Sequence, residues 1–373
     1  MVILYLHQYF RKPDEAGSHR SWYIAEALCR AGHQVHLLTQ GESNFSEEIR
    51  PHLWVHYLAG KYKQSMGFWQ RVFSFVHFVW KAIKKAKKIP FEKIYATSTP
   101  LSIGLVALWL KKKYKKNYIF EVRDLWPQVP VELGILKNPF LKVISYFLEK
   151  KIYQNAEKIV ALSPAMQSYI QKIVPQKEVL CVPNMADCSQ FELQKQKLNT
   201  TFTLLYAGSI GFANGLERVM VWAEKCTWVE FWIAGEGAKL DFIKNLVQKK
   251  QIQNVKFFPK QPKHQLKKLF AEADAVLISF ANYKILETCS PNKFFDGLAA
   301  GKICITNTAG WIKDLIEENK CGFYADTAEE FAEKLKIITQ NLQIQKEMQA
   351  NARKLAETQF DKNRLCQKIV ELF

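Results

Sequence analysis

Short apolar runs alternate with amphipathic helical patterns along this chain, and the alternation starts afresh past its midpoint. Apolar runs of four to six residues, separated by helical patterns, are what a parallel sheet covered on both faces requires. In the first half the strands are predicted at 2–6, 34–39, 118–122, 158–162 and 179–182. In the second they are predicted at 203–207, 231–234, 255–259, 275–278 and 303–305. Ser18 to Ala31 is a helical pattern closed by Gly32, polar Leu193 to Thr201 reads as a linker, and from Thr327 onward the pattern is helical. The expectation is an α/β chain of two doubly wound, Rossmann-like domains, 1–190 and 200–360. With 373 residues, 48% of them hydrophobic, there is enough apolar material for two cores.

Net charge is +18, and its placement matters more than its size. Between Lys61 and Lys116 stand 14 basic residues and one acid, Glu92, so this stretch carries +13 of the total. The remainder is nearly balanced, which points to a local patch for a phosphate-rich partner: a membrane surface, a lipid diphosphate or a nucleic acid. Within the patch, Trp69, Val72, Phe73, Val76, Trp80 and Ile83 fall on one helical face, and Lys81, Lys84, Lys85, Lys87 and Lys88 crowd the end. Phe75 and Phe78 fall elsewhere and need a second cover. One reading is a core-facing helix whose lysines suit its negative end. The other is an interfacial helix, with Trp69, Phe73 and Trp80 in the headgroups and Lys84, Lys85, Lys87 and Lys88 on anionic lipid. The second is preferred, because basic residues continue at 111–113 and 115–116. A nucleic-acid partner is disfavoured, since the aromatics follow helix-face spacing and no recognised module is present.

No run of 18 apolar residues exists, so no transmembrane helix is predicted. The apolar start, Met1 to His7, lacks a basic region and reads as a first strand rather than a signal peptide. Eight cysteines are scattered without a Cys-x-x-Cys pair, which fits reduced thiols in a cytoplasm. No Asp-x-Asp occurs, and no catalytic metal or other cofactor is expected.

The chemistry is concentrated where strands end. Ser290-Pro291-Asn292-Lys293-Phe294-Phe295-Asp296-Gly297-Leu298-Ala299-Ala300-Gly301-Lys302 reads as a loop, a helix and the next strand. Ser290 is placed to cap a helix beginning at Pro291. The amides of that start, with Asn292 and Lys293, form an anion site, and Asp296 one turn on suits sugar hydroxyls. A phosphate site beside a hydroxyl site is what a nucleotide-sugar needs. Glycine turns follow two strands of this half, at Gly208-Ser209 and at Gly235-Glu236-Gly237, and a third, Gly17-Ser18, precedes the first helix near Arg20. In Arg123-Asp124-Leu125-Trp126-Pro127 two charges stand at a strand's carboxyl end, the edge where open sheets bind ligands. Asp124 suits an acceptor hydroxyl as orienting group or base, and Arg123, like Arg20, an acceptor phosphate.

Two of these runs, 121–127 and 290–302, closely resemble glycosyltransferase family 4, retaining transferases of GT-B fold, and nearest the WbuB-like subgroup of O-antigen and capsule synthesis. The resemblance implies two Rossmann-like domains facing a central cleft, with 361–373 crossing back onto the first. It implies a nucleotide-sugar donor, a UDP-sugar favoured, on the second domain, and an undecaprenyl-diphosphate-linked saccharide acceptor on the first. It also implies an enzyme at the anionic inner face of the cytoplasmic membrane. Backbone at Phe258 to Lys260 would hold the base. The family's first loop acid falls on Thr288 here, with Glu287 beside it, and an Arg and a Lys that clamp the diphosphate in many members are Ser209 and Gly215. Lys293 would then carry more of the leaving diphosphate's charge. A GT-B epimerase and an inactive lipid-surface scaffold are the alternatives.

Overall fold

The computed structural model describes residues 1–60, 66–192 and 201–373, so all but the last residue of the expected linker falls outside the described residues. The chain divides into two compact units. Met1–Lys12, Ser18–Pro183 and Asn363–Phe373 make the first, and Pro13–Gly17 with Asn184–Lys362 the second.

Strands of the first unit are β1 (Val2–Leu6), β2 (Gln34–Gly41), β3 (Phe45–Arg50), β4 (Leu53–Ala59), β5 (Lys93–Thr97), β6 (Tyr118–Val122), β7 (Lys158–Ala161) and β8 (Val179–Cys181). They form one sheet in the order β3-β4-β2-β1-β5-β6-β7-β8, parallel except for the edge strand β3. All five residues of β6 are buried, as a strand covered on both faces must be. The helices are α1 (Arg20–Arg30), α2 (Phe68–Ala86), α3 (Ile103–Tyr114), α4 (Gln128–Glu132), α5 (Pro139–Asn155) and α6 (Pro164–Ile173). The connection through α1 steps toward β2, whereas those through α2, α3, α5 and α6 step toward β8. Right-handed crossovers therefore put α1 on one face and α2, α3, α5 and α6 on the other. Within that second layer α2 packs on α3, and α3 on α5.

Helix α2 is rotated so that Phe78, Ala82 and Ala86 meet the core, and Phe73, Val76 and Trp80 are exposed. The core-facing reading of that aromatic face is thus corrected: small residues at 82 and 86 let the helix approach its neighbours, and Phe78 finds the cover it needs. The side chain of Trp69 lies outside the described residues.

The second unit holds β9 (Phe202–Ala207), β10 (Val229–Ala234), β11 (Val255–Phe258), β12 (Ala275–Ile278), β13 (Ile303–Thr306) and β14 (Gly322–Tyr324), all parallel in the order β11-β10-β9-β12-β13-β14. Its helices are α7 (Leu216–Lys225), α8 (Leu240–Lys249), α9 (Lys263–Glu272), α10 (Asn292–Ala299), α11 (Trp311–Glu318), α12 (Ala328–Thr339) and α13 (Leu342–Gln359). Trp222 of α7 stacks on Phe331 of α12 at 4.2 Å in the centre of this unit's core. The last helix, α14 (Lys362–Val370), belongs to the first unit from Asn363 onward.

Candidate functional site

Each sheet reverses its winding at one place, and ligands of open parallel sheets collect at the carboxyl ends of the strands there. In the second unit the reversal falls between β9 and β12. Gly208 and Phe280 lie just past those strands, and Lys293 reaches the same spot from the first turn of α10. Its Nζ stands 4.0 Å from the Tyr206 ring centroid and 5.8 Å from that of Phe280. A β-carbon at Gly208 would come within 3.2 Å of Lys293 Cε, so the absence of a side chain there makes room for the lysine. Burial in this aromatic niche pushes the Lys293 pKa down to about 7, against a smaller opposing influence of Cys289. The sequence reading gave Lys293 a full charge; its burial here opposes that charge.

The two glycine turns of this unit lock onto one another. Gly208 N–H donates to the Ala234 carbonyl at 2.9 Å, Ile210 N–H to that of Glu236 at 2.8 Å, and Gly235 N–H to that of Phe258 at 3.2 Å. A β-carbon on Gly235 would stand 1.8 Å from the Gly208 oxygen, and its φ of +154° also favours glycine. Gly235 thus has a packing reason, as does Gly237, whose β-carbon would stand 2.4 Å from the Ile210 oxygen. The Phe258 carbonyl is engaged by Gly235 and Pro259 has no N–H, which leaves the Lys260 amide as the donor in the expected base-holding stretch. The carbonyl of exposed Ser209 accepts from Tyr206 Oη at 2.5 Å, and the Glu236 carboxylate pairs with Lys260 at 2.7 Å.

Ser290 does not cap α10. The cap position is Pro291, and Ser290 Oγ accepts instead from the Asn184 backbone N–H at 3.2 Å, while Asn184 Nδ2 donates to the Ser290 carbonyl. A serine followed by proline reads as a cap and first turn, but here the proline is itself extended, with ψ 128°, so the helix starts one residue later. Asn292 is exposed at that start and Asp296 is half-buried one turn on. Glu287 lies on a short 3-10 turn, Lys284–Thr288, where it pairs with Lys284 at 2.7 Å. Thr288, at the position of the family's first acid, donates its hydroxyl to the Ile285 carbonyl at 2.7 Å.

In the first unit the winding reverses between β1 and β5. Past these strands and β6 lie His7, Ser98, Thr99, Arg123 and Asp124. Arg123 donates to Ser18 Oγ at 2.9 Å, its backbone N–H donates to Ser98 Oγ at 3.1 Å, and its guanidinium stands 3.5 Å from His7 Nε2. Thr99 donates to Asp124 Oδ2 at 2.9 Å. His7 is buried, and burial, then Arg123 and Arg11, hold its pKa well below the usual range. The other ring nitrogen, Nδ1, shares a hydrogen bond with Ser21 Oγ, 2.8 Å away. Sequence reading passed over His7; its place one residue beyond the first strand was the available signal. Gly17, with φ +139°, belongs to the short segment grouped with the second unit.

Arg20 is not available to a ligand. It is fully buried, pairs with Glu121 at 2.8 Å, and donates to the carbonyls of Val182 and Pro183. Tyr95 and Thr97 complete the Glu121 carboxylate at 2.8 and 3.2 Å. Burial alone would raise the Glu121 pKa, but Arg20 and these hydrogen bonds hold it below the usual carboxylate range. Lys85 is also drawn inward: its Nζ donates to Ser46 Oγ at 3.1 Å, and burial lowers its pKa. Lys84, Lys87 and Lys88 stay exposed, with Lys84 over the Trp80 ring. No helix among the described residues is long and apolar enough to cross a membrane.

Two family models match the chain: Glycosyltransferase Family 4 over residues 19–190, and Glycosyl transferases group 1 over 189–355. Solved structures share its architecture along the full chain. Sucrose-phosphate synthase from Thermosynechococcus elongatus aligns with TM-score 0.84 at 16% identity, covering 100% of this chain and 98% of the other. Anabaena HepE in complex with UDP-glucose aligns with TM-score 0.73 at 16% identity, covering 100% and 99%. WaaG, a glycosyltransferase involved in lipopolysaccharide biosynthesis, aligns with TM-score 0.69 at 16% identity, covering 100% and 99%. No curated protein sequence matches the chain.

Proposed function

We propose, for a chain that belongs to the glycosyltransferases by both of its matched domains and has their GT-B fold, that it is a retaining transferase using a UDP-sugar. The observation that carries this reading is Lys293 beside Gly208 and Phe280 at the reversal of the second sheet. A cation held in an aromatic niche with its pKa near 7 gains its full charge as a diphosphate arrives, and it stabilises the negative charge that grows on the leaving group. The α10 amides add to this, and Asp296 holds ribose or sugar hydroxyls. Glu287 stands in for the first acid of the family loop, freed from Lys284 when donor binds. In the first unit Asp124 orients the acceptor hydroxyl, and Arg123, fixed by Ser18 and Ser98, holds an acceptor phosphate. The leaving phosphate oxygen takes the acceptor proton. HepE is known bound to UDP-glucose and WaaG acts in lipopolysaccharide synthesis, which supports a UDP-sugar and a surface polysaccharide of O-antigen or capsule type.

The acceptor in this reading is undecaprenyl-diphosphate-linked, and the enzyme works at the cytoplasmic face of the inner membrane. The exposed Phe73, Val76 and Trp80 with Lys84, Lys87 and Lys88 support that placement. Thermal shift of the purified protein against UDP, GDP and their sugars tests the donor. A ligand at a hundredfold its Kd stabilises by about 2.7 kcal/mol. A shift with UDP that disappears in Asp296→Ala is expected; no shift with any nucleotide would leave only the scaffold reading. Transfer is expected to persist in excess EDTA, and its loss, restored by a divalent cation, would refute a metal-free site.

A further inference from the structure

Helix α5 carries a second exposed apolar stripe that the site does not use. Phe140, Val143, Ile144 and Phe147, at i, i+3, i+4 and i+7, are 70%, 68%, 38% and 58% exposed, and Ile135 just before the helix is 55% exposed. Such spacing makes one continuous ridge, and four large apolar side chains on it form a patch that calls for a partner. Exposed Lys137 precedes the stripe and exposed Lys150 and Lys151 follow it, with Lys151 over the Phe147 ring at 5.5 Å. The helix's own acid, Glu149, is buried, and burial raises its pKa to about 8, so it sets no negative charge against a partner.

Topology relates this stripe to α2. Both helices lie on the same face of the first sheet with α3 between them, and both follow strands in parallel crossovers, so their amino ends stand at the strands' carboxyl edge. Phe140 to Phe147 fill the first half of α5, and Phe73 to Trp80 the first two thirds of α2. The exposed lysines come later: Lys84 on α2 with Lys87 and Lys88 just past its end, Lys112, Lys113 and Lys115 at the end of α3, Lys150 and Lys151 on α5. Apolar ridges lie at the edge where Arg123 and Asp124 stand, and cations lie behind them.

We infer that α2 and α5 dock the first unit together onto an anionic lipid bilayer, α5 entering as a second apolar wedge and presenting the Arg123–Asp124 edge to the membrane surface. This rests on the membrane reading of α2 but adds an element and an orientation to it. Apolar burial combined with lysines on headgroups is the chemistry of an interfacial helix. A second copy of the chain, the other conceivable cover, meets a lysine-flanked patch with its own lysines, and like charges oppose that pairing.

The test is co-sedimentation of the full chain with vesicles of equal parts phosphatidylglycerol and phosphatidylcholine. Phe140→Ser with Phe147→Ser is expected to weaken binding by about tenfold or more. The remaining binding should fall steeply with salt, because the lysines are intact. An unshifted first-unit unfolding transition, the one UDP does not move, shows that the substituted unit is folded, and an unchanged UDP shift keeps the donor site out of the comparison. Phe73→Ser with Trp80→Ser should give a similar loss. If only the α2 pair matters, the α5 proposal is overturned and the α2 reading stands; if neither matters, both fall. If the wild-type chain sediments as a dimer that the α5 changes dissociate, with vesicle binding untouched, the stripe is a self-association face and the proposal is wrong.

Discussion

Lys293 is where pH acts most directly on the proposed donor site. In the free protein its pKa is about 7, so above that pH an arriving diphosphate must draw a proton onto the amine. Affinity for UDP should then fall as pH rises from about 7.5 to 9, approaching tenfold per unit, a range in which the UDP phosphates are already ionised. Calorimetry in buffers of different ionisation enthalpy should show proton uptake on binding in the wild type and none in Lys293→Met; equal uptake in both would mean another group titrates. The two arginines of the first unit separate structure from function in the same manner. Arg20→Met leaves the Glu121 carboxylate buried without its counter-charge and is expected to cost about 3–5 kcal/mol in urea unfolding. Arg123→Ala removes only partly buried contacts, so its stability should stay within about 1 kcal/mol of wild type. Its acceptor kcat/KM should nevertheless drop by about tenfold to a hundredfold, the worth of one charged hydrogen-bonding group. Nothing in sequence distinguishes Arg20 from Arg123 as a ligand: one opens a helix after a glycine turn and the other follows a strand, and only the fold shows that Arg20 points into the Glu121 network.

At the scale of elements, long apolar runs were legible as strands and short or interrupted ones were not: the buried central strand Lys93–Thr97, with three apolar residues between Lys93 and Thr97, was passed over. Strands such as Tyr118–Val122 and Ala275–Ile278 are apolar throughout because both faces are covered, and their limits are visible in the sequence. The edge strand Phe45–Arg50 is polar and mostly exposed, and its partner Leu53–Ala59, apolar except for His56, was passed over beside it. Helix α2 shows the complementary difficulty. Its most apolar face by spacing is the exposed one, because packing close to neighbours needs the small Ala82 and Ala86 more than large side chains. The glycine turns were legible as turns, but that Gly235 is required by the Gly208 carbonyl depends on two loops far apart in sequence. Among the lysines of α2 a sharp contrast follows. Changing Lys84, Lys87 and Lys88 to Gln should weaken binding to anionic vesicles by roughly fivefold for each charge removed. Lys85→Gln should have little effect on vesicles, since its amine is held by Ser46. Equal losses from Lys85 and Lys84 in the sedimentation assay would contradict this division.

Across the whole molecule, the chain leaves its first unit at Pro183 and returns to it at Asn363, so the last eleven residues are distant in sequence from most of the structure they complete. Leu365, Cys366, Ile369 and Leu372 are buried, Phe373 packs on the rings of Tyr95 and His33, and Lys93 Nζ donates to the Leu372 carbonyl at 3.1 Å. Each such apolar side chain contributes about 1.5–3 kcal/mol, and a unit's net stability is of the order of 5–15 kcal/mol. A chain ending at Lys362 should therefore lose much of the first unit's stability while the second unit keeps its own core. Two unfolding transitions report this if UDP is used to mark one of them: the UDP-shifted transition belongs to the second unit under the proposed assignment. Truncation is expected to lower the transition that UDP does not move and to leave the other in place, still shifted by the nucleotide. The opposite pattern would mean that the terminal helix stabilises the donor-binding unit, and the assignment of Lys293 and its surroundings as the nucleotide site would have to be given up with it.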